Sequence, residues 1–253
     1  MRAISLQSGS NGNCIYLETC GVKLLFDAGI SGIDAEQRLA AHGLGIRDVD
    51  ALILSHDHAD HSRFAGVYQR KYGLPLFVTQ KTLDRTAARH RLGRIKDISY
   101  FRAGETLLFG DVSVDTVPTP HDGIDGVAFV ISAAGKRMGI LTDLGHAFKG
   151  LFPLMESLDA VFLESNYDPG MLAKGPYPYF LKERIRGPRG HLSNLEAAKL
   201  LEAGKGLKWA CLSHLSEQNN TPELALRTHR EVLREDLVLH TASRFEASGI
   251  FSV

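Results

Sequence analysis

Cysteine is scarce in this sequence and offers no framework of disulfide bonds. The 253 residues include only three cysteines, at positions 14, 20 and 211, and none forms a CxxC pair. An odd number without paired spacing argues against a disulfide-stabilised secreted domain and fits a reducing compartment. The sequence therefore predicts a cytoplasmic protein.

An excess of charge of one sign is also missing. Lys and Arg total 29, Asp and Glu total 29, and the formal net charge is zero. A global positive field that would attract nucleic acid is therefore absent. An anionic partner would need a local basic patch or bound metal ions.

Long apolar runs and flexible linkers are missing as well. No apolar stretch approaches the roughly 20 residues of a membrane span, and the start lacks a signal-peptide pattern. No segment rich in Pro, Gly or Ser divides the chain, and no repeat is evident. We expect no membrane partner and a single domain over residues 1–253.

Apolar and polar residues alternate in patterns that predict an α/β fold with sheet inside and helices outside. A loop with one helix is expected over 166–190, where Pro, Gly and Tyr are frequent. Helices are expected at 34–42, 62–72 and 81–92, after the capping box at 193–196, and after Thr221-Pro222. Strands are expected at 3–6, 14–18, 22–26, 51–54, 76–78, 112–117, 127–132, 138–142, 158–164, 208–213, 237–240 and 250–253.

The densest group of chemically active side chains is SHDHADH at residues 55–61. It follows the apolar run 51–54, which is typical of a buried strand. His56 and His58 are two apart, so an extended backbone projects both to one side, while a following turn can aim Asp60 and His61 at a neighbouring point. Imidazole and carboxylate are ligands for Zn, Mn and Fe. A metal site explains these polar groups better than a solvated charged turn, which would not crowd the exit of a buried strand.

Three other predicted strands end in the same type of residue. His121 follows strand 112–117, Asp143 follows 138–142, and His214 follows 208–213. The strand ends of an α/β sheet meet in one crevice, so these side chains are expected near the 55–61 cluster.

This sequence resembles the metallo-β-lactamase fold over nearly its whole length. The pattern of that fold is HxHxDH followed by a later His, an Asp and a final His. VKLLFDAG at 22–29 is similar to the early strand-and-aspartate motif of that fold. The resemblance implies a four-layer αββα sandwich and two divalent metal ions. It implies these ligands: His56, His58 and His121 for the first ion, Asp60, His61 and His214 for the second, and Asp143 bridging both. Asp27 would orient a ligand or loop from behind, although a turn former before Ala-Gly is a comparable explanation.

Several short stretches are similar to one subgroup of this fold, the YycJ/WalJ-type bacterial exonucleases. They are SGSNGNC at 8–14, LTDLGH at 141–146, ESNYD at 164–168, GHLSN at 190–194 and SHLSEQNN at 213–220. This resemblance implies hydrolysis of phosphodiester bonds in DNA, with 5′-to-3′ polarity.

His191 is the strongest candidate outside the ligand set. It lies beside a predicted helix N-terminus, a position that favours anions, and basic residues including Arg189 precede it. We predict that His191 contacts the scissile phosphate or protonates the leaving oxygen, with Arg189 and Ser193 as further substrate contacts. A helix-entry histidine and a purely capping Ser193 are the structural alternatives. Asp60 is predicted to orient the nucleophile as well as to bind metal.

The functional prediction is a dinuclear metal-dependent hydrolase, a phosphodiesterase or exonuclease acting on DNA or RNA through a hydroxide shared by two ions. The ions would be Mn or Zn, with Fe also compatible, and no other cofactor is expected. The alternative is a small-molecule hydrolase of the same fold, such as a thioesterase, lactonase or cyclic phosphodiesterase. A metal-loaded binding protein without turnover is less consistent with the complete ligand set.

Overall fold

The first sheet of the computed structural model, which describes residues 1–253, has seven strands. They are β1 (Arg2–Gln7), β2 (Cys14–Thr19), β3 (Val22–Phe26), β4 (Ala51–Ile53), β5 (Leu76–Val78), β6 (Ile98–Tyr100) and the last strand of the chain, β14 (Phe251–Ser252). Their spatial order is β14-β1-β2-β3-β4-β5-β6. The pairs from β14 to β3 are antiparallel, whereas β3, β4, β5 and β6 run parallel.

The second sheet repeats this arrangement. Its strands are β7 (Thr106–Phe109), β8 (Val112–Pro118), β9 (Val127–Ala133), β10 (Lys136–Leu141), β11 (Ala160–Glu164), β12 (Trp209–Ser213) and β13 (Val238–Thr241). The order is β13-β12-β11-β10-β9-β8-β7. The strands from β7 to β10 are antiparallel and those from β10 to β13 are parallel, so the carboxyl ends of the parallel strands share one edge.

Nine short helices connect the strands. They are α1 (Gly32–Ala40), α2 (Ala59–Ser62), α3 (Ala65–Val67), α4 (Gln80–Arg89), α5 (Leu151–Glu156), α6 (Pro169–Lys174), α7 (Tyr179–Arg186), α8 (Asn194–Ala203) and α9 (Pro222–Arg230). A 3₁₀ turn at Ile46–Asp48 and a π-type turn at Tyr68–Tyr72 complete the helical segments. None of the helices has the length and apolar content needed to cross a membrane.

The two sheets pack face to face and helices cover their outer faces. Between the sheets, the rings of Phe26 and Phe129 lie 4.9 Å apart, within a cluster of 21 buried residues. A second cluster joins the first sheet to α1 through Ala35 and Leu39, and a third joins the second sheet to α8. Each buried Leu, Ile or Phe contributes about 1.5–3 kcal/mol relative to exposure. This is the four-layer αββα sandwich that the family resemblance implied, whereas a single domain over residues 1–253 stays a prediction.

Two helix predictions were wrong in detail. The helix expected over 62–72 is broken into α2, α3 and the π-type turn, and the backbone of Phe64, with φ −103° and ψ 3°, departs from helical geometry between α2 and α3. A Cβ on Gly66 would lie 1.9 Å from the carbonyl oxygen of Leu92. The region 166–190 holds two helices instead of one. Two of its prolines begin helices rather than interrupt them, since Pro169 occupies the first turn of α6 and Pro178 is the N-cap residue of α7.

The sequence also missed β6, β7 and α5, which are short. Tyr100 and Leu108 on the two outermost strands are exposed. An edge strand with one solvated face lacks the continuous apolar run that marks a central strand.

Candidate metal centre

Four strand ends deliver the predicted ligand side chains to one edge of the sandwich. SHDHADH follows β4, His121 follows β8, Asp143 follows β10 and His214 follows β12. All four are brought together as expected from the shared carboxyl edge of the parallel strands.

The first predicted ligand group is His56, His58 and His121. Each offers one ring nitrogen within 4.8 Å of the others. His121 Nε2 lies 3.3 Å from His58 Nδ1, and His56 is buried at 2 % exposure. Three imidazoles at this spacing can share one cation.

The second predicted group is Asp60, His61 and His214, whose ligand atoms also lie within 4.8 Å of one another. Asp60 Oδ2 is 3.3 Å from His214 Nε2 and 3.6 Å from His61 Nε2. This set combines two imidazoles and a carboxylate, a donor set typical of Zn, Mn and Fe.

Asp143 lies between the two groups. Its Oδ2 is 3.1 Å from His61 Nε2, while its Oδ1 is 3.6 Å from His121 Nε2 and 3.7 Å from His214 Nδ1. It therefore contacts members of both groups, the position required of a bridging ligand.

Unsatisfied buried atoms indicate that the cluster fits cations. His56 Nε2 is buried and makes no hydrogen bond, and buried Asp143 Oδ2, although 3.1 Å from His61 Nε2, has no donor in hydrogen-bonding geometry. A buried polar atom without a partner is costly and rare in folded proteins. A bound divalent ion would satisfy both atoms, and every donor in the cluster is nitrogen or oxygen.

Groups behind the ligands fix the orientation of the rings. Asp27 Oδ2 lies 2.7 Å from His61 Nδ1 and accepts a hydrogen bond from Ser55 Oγ at 2.9 Å. His121 Nδ1 donates to the carbonyl oxygen of Gly190 at 2.8 Å. Engaging Nδ1 in this way leaves Nε2 free to face the centre. Asp27 thus lies where the sequence placed it.

Only glycine fits at position 190. A Cβ there would lie 2.1 Å from the carbonyl oxygen of Ile185. The absence of a side chain lets this backbone pass close to the end of α7 while its carbonyl faces His121.

Three of the site residues adopt left-handed backbone conformations. The φ angles of Asp27, Asp143 and His214 are 66°, 54° and 55°. Such angles are uncommon outside glycine and cluster at functional sites, where surrounding structure holds them. They turn the side chains sharply inward immediately after strands.

Electrostatics in the cluster pair acidic and basic groups. Burial opposes charge on His61, but Asp143 and Asp27 outweigh it and hold the pKa of His61 well above its ordinary value. For His214, burial is likewise outweighed by Asp143 and Asp60, which raise its pKa to about 10. Burial, reinforced by the neighbouring His61, holds the pKa of His56 well below its ordinary value.

His191 is held by a buried carboxylate. Its Nδ1 lies 2.5 Å from Glu164 Oε1, and Glu164, at the end of β11, is 0 % exposed. The other carboxylate oxygen accepts from the backbone N–H of Leu144 at 3.1 Å. Burial opposes ionisation of Glu164, but His191 outweighs it and lowers the pKa of Glu164 to about 2. Glu164, Asp143, His191 and His214 also form a further group of potential ligands within 4.8 Å.

Two polar residues next to the ligands were not singled out from the sequence. The Nδ2 of buried Asn13 lies 3.0 Å from His61 Nε2, and its Oδ1 accepts from Ser8 Oγ and the N–H of Gly9. Asp122 Oδ1 is 3.2 Å from His58 Nε2. Asp122 directly follows His121, and that adjacency was the available signal. Asn13 lies in the SGSNGN turn, 48 positions from its partner, so no local pattern could have linked them.

The structure does not bring Arg189 or Ser193 to the cavity. Ser193 caps α8, with its hydroxyl engaged by the backbone N–H and carboxylate of Glu196. The side chain of Arg189 is exposed, and only its backbone carbonyl reaches the site, accepting from the N–H of Asp122 at 3.1 Å. Capping therefore accounts for Ser193, and the chain direction after α7 carries Arg189 outward.

A cavity of about 400 Å³ opens over the cluster. Its lining includes Asp60, His191 and His214 together with Arg89 and Arg184. Volumes of 300–1,000 Å³ are usual for sites that bind small molecules or cofactors. Four of the candidate ligands, His191 and two arginine side chains thus line one opening.

Comparison with known proteins agrees with this geometry. The family profile of the metallo-beta-lactamase superfamily matches residues 8–154. An exodeoxyribonuclease named WalJ from Streptococcus pneumoniae is 36% identical over 227 residues, covering 88% of this chain and 84% of the relative. An exodeoxyribonuclease named YycJ from Bacillus anthracis is 35% identical over 234 residues, covering 91% and 88%.

Among solved structures, the metallo-beta-lactamase fold protein YhfI from Bacillus subtilis superposes with a TM-score of 0.74. It is 16% identical and covers 98% of each chain. At that identity the likeness supports the fold alone. The match of the family profile to more than half of the chain, together with the near full-length relatives, shows that this chain belongs to the metallo-beta-lactamase superfamily.

Proposed function

We propose that this chain is a dinuclear metal-dependent phosphodiesterase that acts as an exonuclease on DNA. The main support is that the chain aligns over most of its length with two exodeoxyribonucleases, while seven ligand-type side chains meet at one edge of the sandwich.

The proposed ion sites follow the two groups described above. One ion would be held by His56, His58 and His121. The other ion would be held by Asp60, His61 and His214, and Asp143 would bind both ions. When bound, such ions lower the pKa of a water molecule and offset the charge of a phosphodiester. Manganese or zinc suits the all-nitrogen-and-oxygen donor set, and iron is compatible with it.

His191 is the proposed acid for the leaving oxygen. Because Glu164 engages Nδ1, the ring presents Nε2 as the atom that can hold the proton. Glu164 is buried, so this contact fixes the orientation of the His191 ring, and His191 lines the cavity. Asp60 is proposed to orient the nucleophile as well as to bind metal. Its Oδ2 contacts His214 and His61 at the cavity wall.

The test is cleavage of end-labelled DNA and RNA, single- and double-stranded, by protein loaded with manganese or zinc. We expect stepwise shortening of DNA from an end, and loss of that activity in His58→Ala. His42→Ala, a histidine just after α1 and outside the cavity, is the matched control and should cleave normally. Turnover of a thioester, lactone or cyclic phosphate without cleavage of any nucleic acid would reject the proposal in favour of a small-molecule hydrolase.

A further inference from the structure

Two arginines line the cavity without belonging to the proposed hydrolytic machinery. Arg89 is the last residue of α4 in the first half of the chain, and Arg184 lies in α7 in the second half. They are far apart in sequence yet face the same opening, so their convergence needs an explanation.

A buried carboxylate holds Arg89 in place. Its Nη1 donates to Asp57 Oδ2 at 2.6 Å, and the Asp57 side chain is 3 % exposed. The other oxygen of Asp57 accepts from the backbone N–H of Ile124 at 2.7 Å. Asp57 lies between the two candidate ligands His56 and His58, so the position of Arg89 is fixed relative to the first ion site.

Arg184 is held in the same manner from the other side. Its Nε and Nη2 donate to the two oxygens of Asp122 at 2.6 and 3.1 Å. Asp122 directly follows the candidate ligand His121 and contacts His58. Each arginine is therefore tied to a carboxylate that is a sequence neighbour of a candidate ligand.

These pairs leave most of the guanidinium donors free. A guanidinium has five N–H donors, of which Arg89 uses one and Arg184 uses two in its carboxylate pair. The side chains remain 44% and 52% exposed. A guanidinium held along one edge presents its other edge ready for a second anion, and its planar fork matches the geometry of phosphate.

The cavity and its surroundings fit the terminal nucleotides of one strand. A cavity of about 400 Å³ accepts a piece of nucleotide size. Tyr177 lines it, and Phe180, one helical turn before Arg184, is 73% exposed. Aromatic faces beside cations are the usual means of binding unpaired bases and their backbone.

We propose that Arg89 and Arg184 form a subsite for the phosphates that flank the scissile one, so that the cavity takes the end of a strand longer than a dinucleotide. This inference rests on the proposed phosphodiesterase function and specifies its substrate. The subsite is set at fixed distance from the hydrolytic centre by Asp57 and Asp122, and it makes the reaction depend on strand length.

The test compares Arg89→Ala, Arg184→Ala and the double variant with two controls. Arg85→Ala and Arg186→Ala remove exposed arginines from the same two helices, outside the cavity. Binding of a short phosphorothioate single-stranded oligonucleotide is measured by fluorescence anisotropy from about 50 to about 200 mM salt. We expect the salt dependence of log K to weaken by about 0.7 for each cavity arginine lost and to stay unchanged in the controls.

Cleavage of a dinucleotide, a trinucleotide and longer oligomers gives the second readout. For the wild type, kcat/KM should rise with each added phosphate, and the double variant should lose that rise. Arg184→Lys keeps the charge and should retain the salt dependence with weaker binding, which separates lost contact from misfolding.

The outcomes distinguish the inference from the function on which it rests. If the wild type cleaves no oligomer, the proposed function fails and the subsite fails with it. If the wild type cleaves with a length dependence that the double variant retains, the function stands and the subsite is rejected.

Discussion

Replacing Glu164 by glutamine should slow the chemical step while leaving the cavity intact. The carboxylate is 0 % exposed and 2.5 Å from His191 Nδ1, and it does not line the cavity. Glutamine keeps the shape and can still accept from the N–H of Leu144, but the charge-assisted hydrogen bond that orients the His191 ring is lost. His191 would then be held less firmly in the orientation that the proposed acid requires.

The magnitude follows from the strength of this contact. A hydrogen bond to a charged group contributes about 1.5–3 kcal/mol. At about 1.4 kcal/mol for each factor of ten in rate, the loss corresponds to roughly 10- to 100-fold in kcat. KM should change little, because Glu164 touches substrate only through His191.

Steady-state cleavage of a short DNA oligomer measures both constants, and metal analysis of each variant is the control. His191→Ala should lose at least as much, and the double variant should be no worse than His191→Ala, because the two residues act as one unit. If the loss of kcat in the double variant equals the product of the two single losses, Glu164 and His191 do not act as one unit. Loss of metal from Glu164→Gln would refute it as well, since Glu164 would then serve as a ligand beside Asp143, His191 and His214.

Three further predictions concern metal binding and stability. Asp27→Asn should weaken metal binding about 10- to 100-fold, because the carboxylate that orients His61 is lost, as measured by competition with a chelating dye. Metal binding must displace protons from His61 and His214, whose pKa values are raised, so metal affinity should increase with pH between about 6 and 8. Addition of metal at about 100 times its Kd should stabilise the fold by about 2.7 kcal/mol. Burial lowers the pKa of His229 from 6.5 to about 4, so its stabilising effect is complete above pH 6.5 and is lost as pH falls toward 4. Metal-free wild type should therefore lose about 2 kcal/mol more unfolding free energy than His229→Leu between about pH 7 and about pH 5, as measured by urea denaturation.

Each of these has a defined contrary result. Asp27→Asn with unchanged affinity would mean that His61 needs no orienting partner. Metal affinity independent of pH would contradict the protonated state of the histidines in the metal-free protein. Parallel pH profiles for wild type and His229→Leu would show that the ring, whose Nδ1 donates to Ala225 and whose Nε2 is unpaired, ionises alike in folded and unfolded chains.

The sequence by itself determined the layers and most of the candidate site. Apolar runs of strand length mark β4, β11 and β12 because these strands are buried on both faces, and the metal-type residues follow such runs directly. Local spacing was sufficient for HxHxDH, since an extended backbone projects alternate residues to one side.

Only the tertiary structure decided which distant groups complete the centre. Glu164 meets His191 across 27 positions, Asn13 meets His61 across 48, and Arg89 and Arg184 converge from different halves of the chain. The same is true of Arg189, whose side chain is exposed and does not line the cavity. The physical reason is that periodicity and capping are properties of neighbouring residues, whereas a side chain's partners across the sandwich depend on how two sheets pack and where their strand ends meet.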